Sequence, residues 1–267
     1  MAGTARDARA PGEDNAMSMP GWQKKIRKWI YRDYFGDRHR LRRRFGAVWL
    51  LRYSNSIDRK LILGELYEAE QLAYCSELIG SRSLTGFIDI GANIGLYTVI
   101  LGTRHEGLEQ IHCFEPDIRN FNNLCAHLLL NNLSDRVQAQ PVGLSSQAGS
   151  VRFLRNKGNS TGHSRIADTA PQSTRSDRFE EVSIPITTAD IALASLQGQR
   201  LLVKIDVEGH ELQVCEGAAT LLANNICYVQ MEILEEFDRR VAELGSRFGL
   251  RLIHRIGQDC YFTNEAA

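Results

Sequence analysis

The sequence predicts an α/β protein whose mostly parallel sheet is covered by helices on both faces. Three observations carry that prediction. From Gly86 onward, short apolar runs of strand length alternate with helical patterns. The first such run ends in a glycine-rich turn, Gly91-Ala92-Asn93-Ile94-Gly95, that opens a helix. A later run, residues 201–206, ends in a cluster of ionisable side chains, and in open α/β sheets the crevice lies beyond the carboxyl ends of the strands.

The elements follow in chain order. Residues 1–20 are rich in Ala, Gly and Asp without periodicity and are predicted to be a disordered tail. Residues 21–60 are predicted to be a basic helical extension. Within it Trp22, Ile26, Trp29 and Ile30 fall on one helical stripe. That stripe either docks on the protein's own body or lies on an anionic membrane surface. The remaining residues, 61–267, are predicted to be the α/β domain. A helical pattern over 61–79 leads into strand 87–90, and helix 96–103, strand 111–114, helix 118–130 and strand 137–142 follow. Strands at 151–154 and 182–186 flank a polar loop, 156–178, long enough to serve as a substrate lid with Asn159-Ser160-Thr161 at its turn. Strand 201–206, helix 211–224, strand 226–233, helix 237–248 and a hairpin turning at Gly257-Gln258 complete the chain.

The 267 residues carry 32 basic and 32 acidic side chains, so the formal charge is zero. Its distribution is uneven. Between Trp22 and Arg44 there are ten Lys/Arg and two acids, a basic arm on an acidic body. The six cysteines are scattered with no CxxC, which argues against zinc and against a disulfide framework. No apolar run reaches the length of a membrane span, and residues 1–19 lack a signal-peptide core. A cytoplasmic location is therefore expected, with the arm touching the inner membrane face in one reading.

The chemistry concentrates in two segments. In Asp89-Ile-Gly91-Ala-Asn93-Ile-Gly95 the glycines permit a tight turn and close ligand approach. Glu115, 24 residues after Gly91, ends the next strand, where an acid can accept both hydroxyls of a ribose. A dinucleotide site would place its middle glycine where Asn93 stands. Asp89 is poor company for a pyrophosphate but suits a cationic ligand. The layout therefore favours S-adenosylmethionine over NAD. In Lys204-Ile-Asp206-Val-Glu208-Gly209-His210-Glu211, alternation puts Lys204, Asp206 and Glu208 on one face. A carboxylate there could take the proton of a substrate hydroxyl, with Lys204 tuning it, and Glu211 is either part of that group or a helix-start acid. Glu232 ends the next strand and could join Asp206 and Glu208 around a cation, although sulfonium methyl transfer needs no metal, and none is expected. His163 and His210 are further candidate bases.

Taken together, these segments resemble the FkbM family of methyltransferases. The resemblance rests on Asp89 to Tyr97, on Phe114-Glu115-Pro116, on Lys204 to Glu211 and on the strand ending at Glu232, with weaker echoes at Tyr67-Glu68 and Gly143-Leu-Ser. It implies the class I (Rossmann-like) methyltransferase fold, with seven strands and a reversed final hairpin. It also implies S-adenosylmethionine as donor and O-methylation of a saccharide or secondary metabolite. Asp89, Gly91, Asn93 and Gly95 would line the methionine end and Glu115 the ribose, and Asp206, Glu208 and Glu211 would lie near the transferred methyl. Two positions depart from the family pattern: His127 replaces an expected Asn, and Ser146 an expected acid, which leaves adenine recognition unassigned. The rivals are a nucleotide-sugar oxidoreductase on the same fold and a non-catalytic scaffold. A small-molecule or saccharide partner is expected, and nucleic acid is not: the body is acidic and lacks an aromatic platform.

Overall fold

A computed structural model of the chain describes Trp22, Lys25, Ile26, Trp29 and residues 38–158, 164–166, 177–233 and 237–266. The four arm residues are helical and exposed, with Trp22 at 62%, Ile26 at 49% and Trp29 at 59%. Among the described residues of the apolar stripe, Trp22, Ile26 and Trp29 are uncovered. The predicted tail and most of the candidate lid, including Asn159-Ser160-Thr161, lie outside the described residues.

The described part of residues 21–60 corrects the helical expectation. β1 (Arg40–Arg44) and β2 (Ala47–Leu51) form an antiparallel hairpin. Its turn residues Phe45 and Gly46 both have positive φ, the backbone of a tight hairpin turn. Ala47, Trp49 and Leu51 point inward at 0–1% exposure, and α1 (Ser56–Ile62) follows, capped by the Asn55 side chain. Hairpin and helix belong to the main core and are no appendage to it. The expected helix over 61–79 is instead the end of α1 and a separate helix, α2 (Ala69–Ser81).

Seven strands make the central sheet. In chain order they are β3 (Gly86–Ile90), β4 (Gln110–Phe114), β5 (Val137–Gln140), β10 (Arg200–Ile205), β11 (Ile226–Glu232), β12 (Arg251–Ile256) and β13 (Asp259–Thr263). Their spatial order is β12-β13-β11-β10-β3-β4-β5, parallel except for the terminal β12–β13 hairpin. The order reverses between β3 and β10, the topological switch point where α/β sheets bind ligands. One face is covered by α2, α3 (Leu96–Arg104), α4 (Ile118–Leu130) and the hairpin. The other is covered by α5 (Ala189–Ala192), α6 (Glu211–Glu216), α7 (Ala219–Asn224) and α8 (Phe237–Phe248). These layers make a doubly wound α/β fold around a mostly parallel sheet.

Two departures have local causes. The single helix expected over 211–224 breaks at Gly217, where a Cβ would meet the Ser145 carbonyl oxygen at 2.0 Å. The expected third strand stops at Gln140, and the chain enters a small second sheet. This comprises β6 (Gly143–Leu144), β7 (Gly149–Asn156), β8 (Arg165–Ile166) and β9 (Phe179–Thr187), ordered β6-β9-β7-β8 around Phe153, Ile166, Ile184 and Ile186. It stands over the ends of the central strands and walls one side of the crevice.

Candidate active site

The glycine turn is built by mutual constraint between neighbouring strand ends. Gly91 has φ of 80°, and a Cβ there would lie 1.9 Å from the Asp206 carbonyl oxygen. The amides of Gly91 and Ala92 both donate to the Phe114 carbonyl at 3.0 Å. Asn93 sits in left-handed backbone at φ 52° and donates its amide to Glu115 Oε2 at 2.8 Å. The Asp117 amide donates to Glu115 Oε1 at 2.8 Å. Gly95 starts α3 at φ 81°, with room for a Cβ denied by Leu124 Cδ1 at 2.4 Å. The carboxyl end of β3 is thus welded to those of β4 and β10.

A chamber opens beside this turn. Its apolar walls are Phe114, Pro116, Leu144, Phe153, Ile166 and Ile184. Its polar groups are Glu115, Asn93, Asn120 and His210. Burial pushes the Glu115 carboxyl up to about 7, against the pull of the Asp117 and Asn93 amides. The Oδ1 atoms of Asn93 and Asn120 and Nδ1 of His210 are buried and have no hydrogen-bond partner among the described residues. Such orphans are rare in folded proteins and mark groups waiting for a partner. His210 Nε2 pairs with Ser145 Oγ at 2.8 Å, and burial pushes the ring's pKa down, so it is neutral near pH 7.

A second chamber lies on the other side of the turn, lined by Ser56, Ile57, Tyr67, Glu68, Asp89, Leu96, Tyr97, Lys204, Glu232 and Asp259. Parallel register sets Asp89 beside Lys204 and Lys204 beside Gln230, a polar row at the top of the buried sheet. Lys204 is 5% exposed and donates to Asp206 Oδ2 at 2.9 Å. Burial opposes its charge, but Asp206, Asp89 and Glu68 outweigh it and hold the ammonium above its ordinary value. Asp89 is 1% exposed; Oδ2 accepts from Thr98 Oγ1 at 2.7 Å, whereas Oδ1 has no partner. Burial raises the Asp89 carboxyl, with Lys204 and Thr98 opposing. Tyr97 Oη donates to Glu68 Oε2 at 2.8 Å and receives Gln230 Nε2 at 3.2 Å. Gln230 also donates to Asp259 Oδ1 at 3.0 Å. The two chambers meet at Gly91, Asn93, Asp206 and Glu208, which line both.

Asp89, Gly91, Asn93, Glu115, Lys204, Asp206 and Glu208 are therefore brought together around one crevice. Gly95 shapes the turn from behind and lines neither chamber. Glu211 lines neither chamber and accepts the Gly209 amide at 2.9 Å at the start of α6, the helix-start position that is one of its two readings. His163 lies outside the described residues. His127, the first departure from the family pattern, ties the turn to the hairpin: Nδ1 bonds the Ile94 carbonyl at 2.7 Å, and Nε2 faces the Leu50 carbonyl at 3.3 Å. No three His, Cys, Asp or Glu among the described residues are gathered to hold a metal ion. Sequence reasoning missed Asn120, Gln230 and Asp259. Each becomes visible only through contacts with residues distant in the chain.

The family profile of the FkbM methyltransferase domain matches residues 89–251, 163 of the 267 positions. The chain belongs to the FkbM methyltransferase family. S-adenosylmethionine is the methyl donor of that family. Among similar proteins, methyltransferase sdnD of Sordaria araneosa is 28% identical over 186 residues, spanning 61% of this chain and 70% of that one. The hexuronic acid methyltransferase AglP of Haloferax volcanii is 26% identical over 149 residues, 54% of either chain. The crystal structure of an FkbM methyltransferase from Methylobacillus flagellatus is 16% identical with a TM-score of 0.45, covering 78% of this chain and 52% of that one. The chain thus spans about half the length of the archaeal protein and of the crystallised one.

Proposed function

We propose that the chain transfers the methyl group of S-adenosylmethionine to a hydroxyl oxygen of a saccharide or related small molecule. The observation that carries this reading is the pair of chambers joined at Gly91, Asn93, Asp206 and Glu208. One has the apolar slot and buried acceptors a nucleoside needs; the other has the charged groups an amino-acid moiety and an acceptor need. The chain's own residues fit the donor. Glu115 accepts the ribose hydroxyls with lone pairs left over from its two amide contacts. The orphaned Asn120 Oδ1 would accept from the adenine amino group, the recognition Ser146 does not supply. The orphaned Asp89 Oδ1 receives the methionine ammonium.

When bound, S-adenosylmethionine supplies an electrophilic methyl on a sulfonium. The protein holds the acceptor oxygen in line with it, which accounts for much of the rate. Asp206 or Glu208, at the junction of the chambers, would accept the hydroxyl proton as the oxygen–carbon bond forms and the methyl's bond to sulfur breaks, with the neutral thioether S-adenosylhomocysteine as leaving group. Lys204 keeps Asp206 oriented through their 2.9 Å contact.

The test is incubation with ¹³C-methyl S-adenosylmethionine and a mixture of saccharides and small alcohols, read by carbon NMR. A new methyl resonance in the methoxy region supports the reading, and one at nitrogen or sulfur shifts instead contradicts it. The uncovered Trp22, Ile26 and Trp29, beside five basic residues between Trp22 and Asp37, further support contact of the arm with an anionic bilayer. The full chain should co-sediment with phosphatidylglycerol vesicles and not with phosphatidylcholine ones; equal sedimentation with both would contradict this.

A further inference from the structure

In the first chamber the methyl-donor reading employs Glu115 and Asn120 and gives His210 no task. Left-handed backbone at Glu208 (φ 56°) and Gly209 (φ 95°) turns the chain after β10, and His210, 7% exposed, lines that chamber. Its Nε2 lies 2.8 Å from Ser145 Oγ, and its Nδ1 is buried without a partner among the described residues. Ser145 is itself 5% exposed and held on both sides. Its amide donates to the Thr187 carbonyl at 2.9 Å, and its carbonyl packs so closely on Gly217 that a Cβ there would lie 2.0 Å away. The ring therefore stands on a fixed support.

That support decides which ring nitrogen carries the proton. The imidazole is neutral, because burial disfavours its charged form, so it has one N–H. With the proton on Nε2, the ring would donate to Ser145 Oγ, and the buried hydroxyl hydrogen would have no acceptor among the described residues. With the proton on Nδ1, the hydroxyl donates to Nε2 and is satisfied. Nδ1–H is then a buried hydrogen-bond donor directed at the first chamber, with no lone pair there to take a proton from a methyl acceptor. Beside it in the same chamber stand the orphaned carbonyl oxygens of Asn93 and Asn120. A ligand that meets all of these atoms must offer both a hydrogen-bond donor and an acceptor from a flat apolar body. Adenine does so, with its exocyclic amino group and its ring nitrogens N1, N3 and N7.

We infer that His210 selects the adenine base, donating its Nδ1–H to one of the ring nitrogens, with Ser145 as the positioning residue that sets its tautomer. The inference rests on the methyl-donor reading and adds a base-reading residue to it.

The test titrates the full chain calorimetrically with S-adenosylhomocysteine and with its 1-deaza, 3-deaza and 7-deaza analogues, each replacing one ring nitrogen by CH. One analogue should bind about tenfold or more weakly than the parent compound, because it leaves a buried donor unpaired; which one it is identifies the nitrogen. In His210→Ala the parent compound should lose a similar factor and that analogue should lose nothing further. Long-range ¹H–¹⁵N NMR should show the His210 ring protonated at Nδ1 in the wild-type chain and as a mixture of tautomers in Ser145→Ala, a change that loss of packing alone would not produce. All three analogues binding the wild-type chain as tightly as the parent would overturn the inference, as would a wild-type ring protonated at Nε2 or an analogue's loss that persists undiminished in His210→Ala. The wild-type comparisons decide the matter even where a variant fails to fold. Failure of S-adenosylhomocysteine itself to bind the folded wild-type chain would instead remove the methyltransferase reading beneath it.

Discussion

Glu115 joins the chain's backbone economy to its chemistry. Its two oxygens hold the amides of Asn93 and Asp117, so it shapes the turn as well as being the proposed ribose acceptor. Glu115→Ala should leave two buried amides unpaired, costing about 1–3 kcal/mol each, and abolish S-adenosylhomocysteine binding. Glu115→Gln keeps one acceptor and should bind roughly 10–100-fold more weakly, as a charged hydrogen bond predicts; calorimetry separates the two. A pH signature follows as well. The folded carboxyl titrates at about 7, above its ordinary 4.5, so this group's contribution to the free protein's stability is whole below pH 4.5 and is lost as pH rises to 7. Ribose hydroxyls donate to the ionised form, so binding in that window should release protons. Binding heats that vary with the ionisation heat of the buffer would reveal it. At Gly91 the left-handed backbone and the Asp206 carbonyl at 1.9 Å leave no room for a side chain. Gly91→Ala should cost at least about 1–3 kcal/mol from strain alone, visible as a lowered Tm.

At the scale of elements, the unexpected hairpin is a structural member of the domain. Trp49 is fully buried between the hairpin and α4, edge-on to His127 at 5.1 Å. Trp49→Ala should destabilise the protein by about 3–5 kcal/mol, measured by urea unfolding; a loss under 1 kcal/mol would mean the hairpin is a dispensable flap. The sequence hides this element because the arginines of β1 dominate the pattern, and only alternate residues of Ala47–Leu51 are inward. The second sheet was half legible. Its long strands showed as apolar runs, but β6 is two residues long and pairs with β9 some forty positions later. The strands and helices from Gly86 to Phe114 were legible because strand, glycine turn and helix carry their signals locally. The local contacts of Glu211 were illegible for the opposite reason. Its contact with the Gly209 amide depends on a left-handed turn at Glu208 and Gly209 that alternation cannot foresee.

At the scale of the molecule, the sheet's order reversal between β3 and β10 explains why residues more than a hundred positions apart share one crevice. Asp89 and Lys204 are register partners on those two strands, and Glu115 ends the next strand outward. The sequence motifs located the glycine turn and Glu115 in this crevice. The acceptor half, where Gln230, Asp259 and Glu68 converge, depends on strand neighbours set only by the global topology. None of the described arm residues lines either chamber, so deleting residues 1–37 should leave S-adenosylhomocysteine affinity within about twofold of the full chain; each 1.4 kcal/mol is a factor of ten, so a larger loss would place the arm in the donor site.

The central claim is that the joined chambers bind an S-adenosyl ligand through Glu115 and the turn from Asp89 to Gly95. Calorimetric titration with S-adenosylhomocysteine tests it directly, with NAD and Glu115→Ala as controls. One-to-one binding in the micromolar range, near 8 kcal/mol, absent with NAD and lost in Glu115→Ala, is the expected result. A folded protein that binds NAD and not S-adenosylhomocysteine, or one whose Glu115→Ala variant binds S-adenosylhomocysteine unchanged, would contradict it.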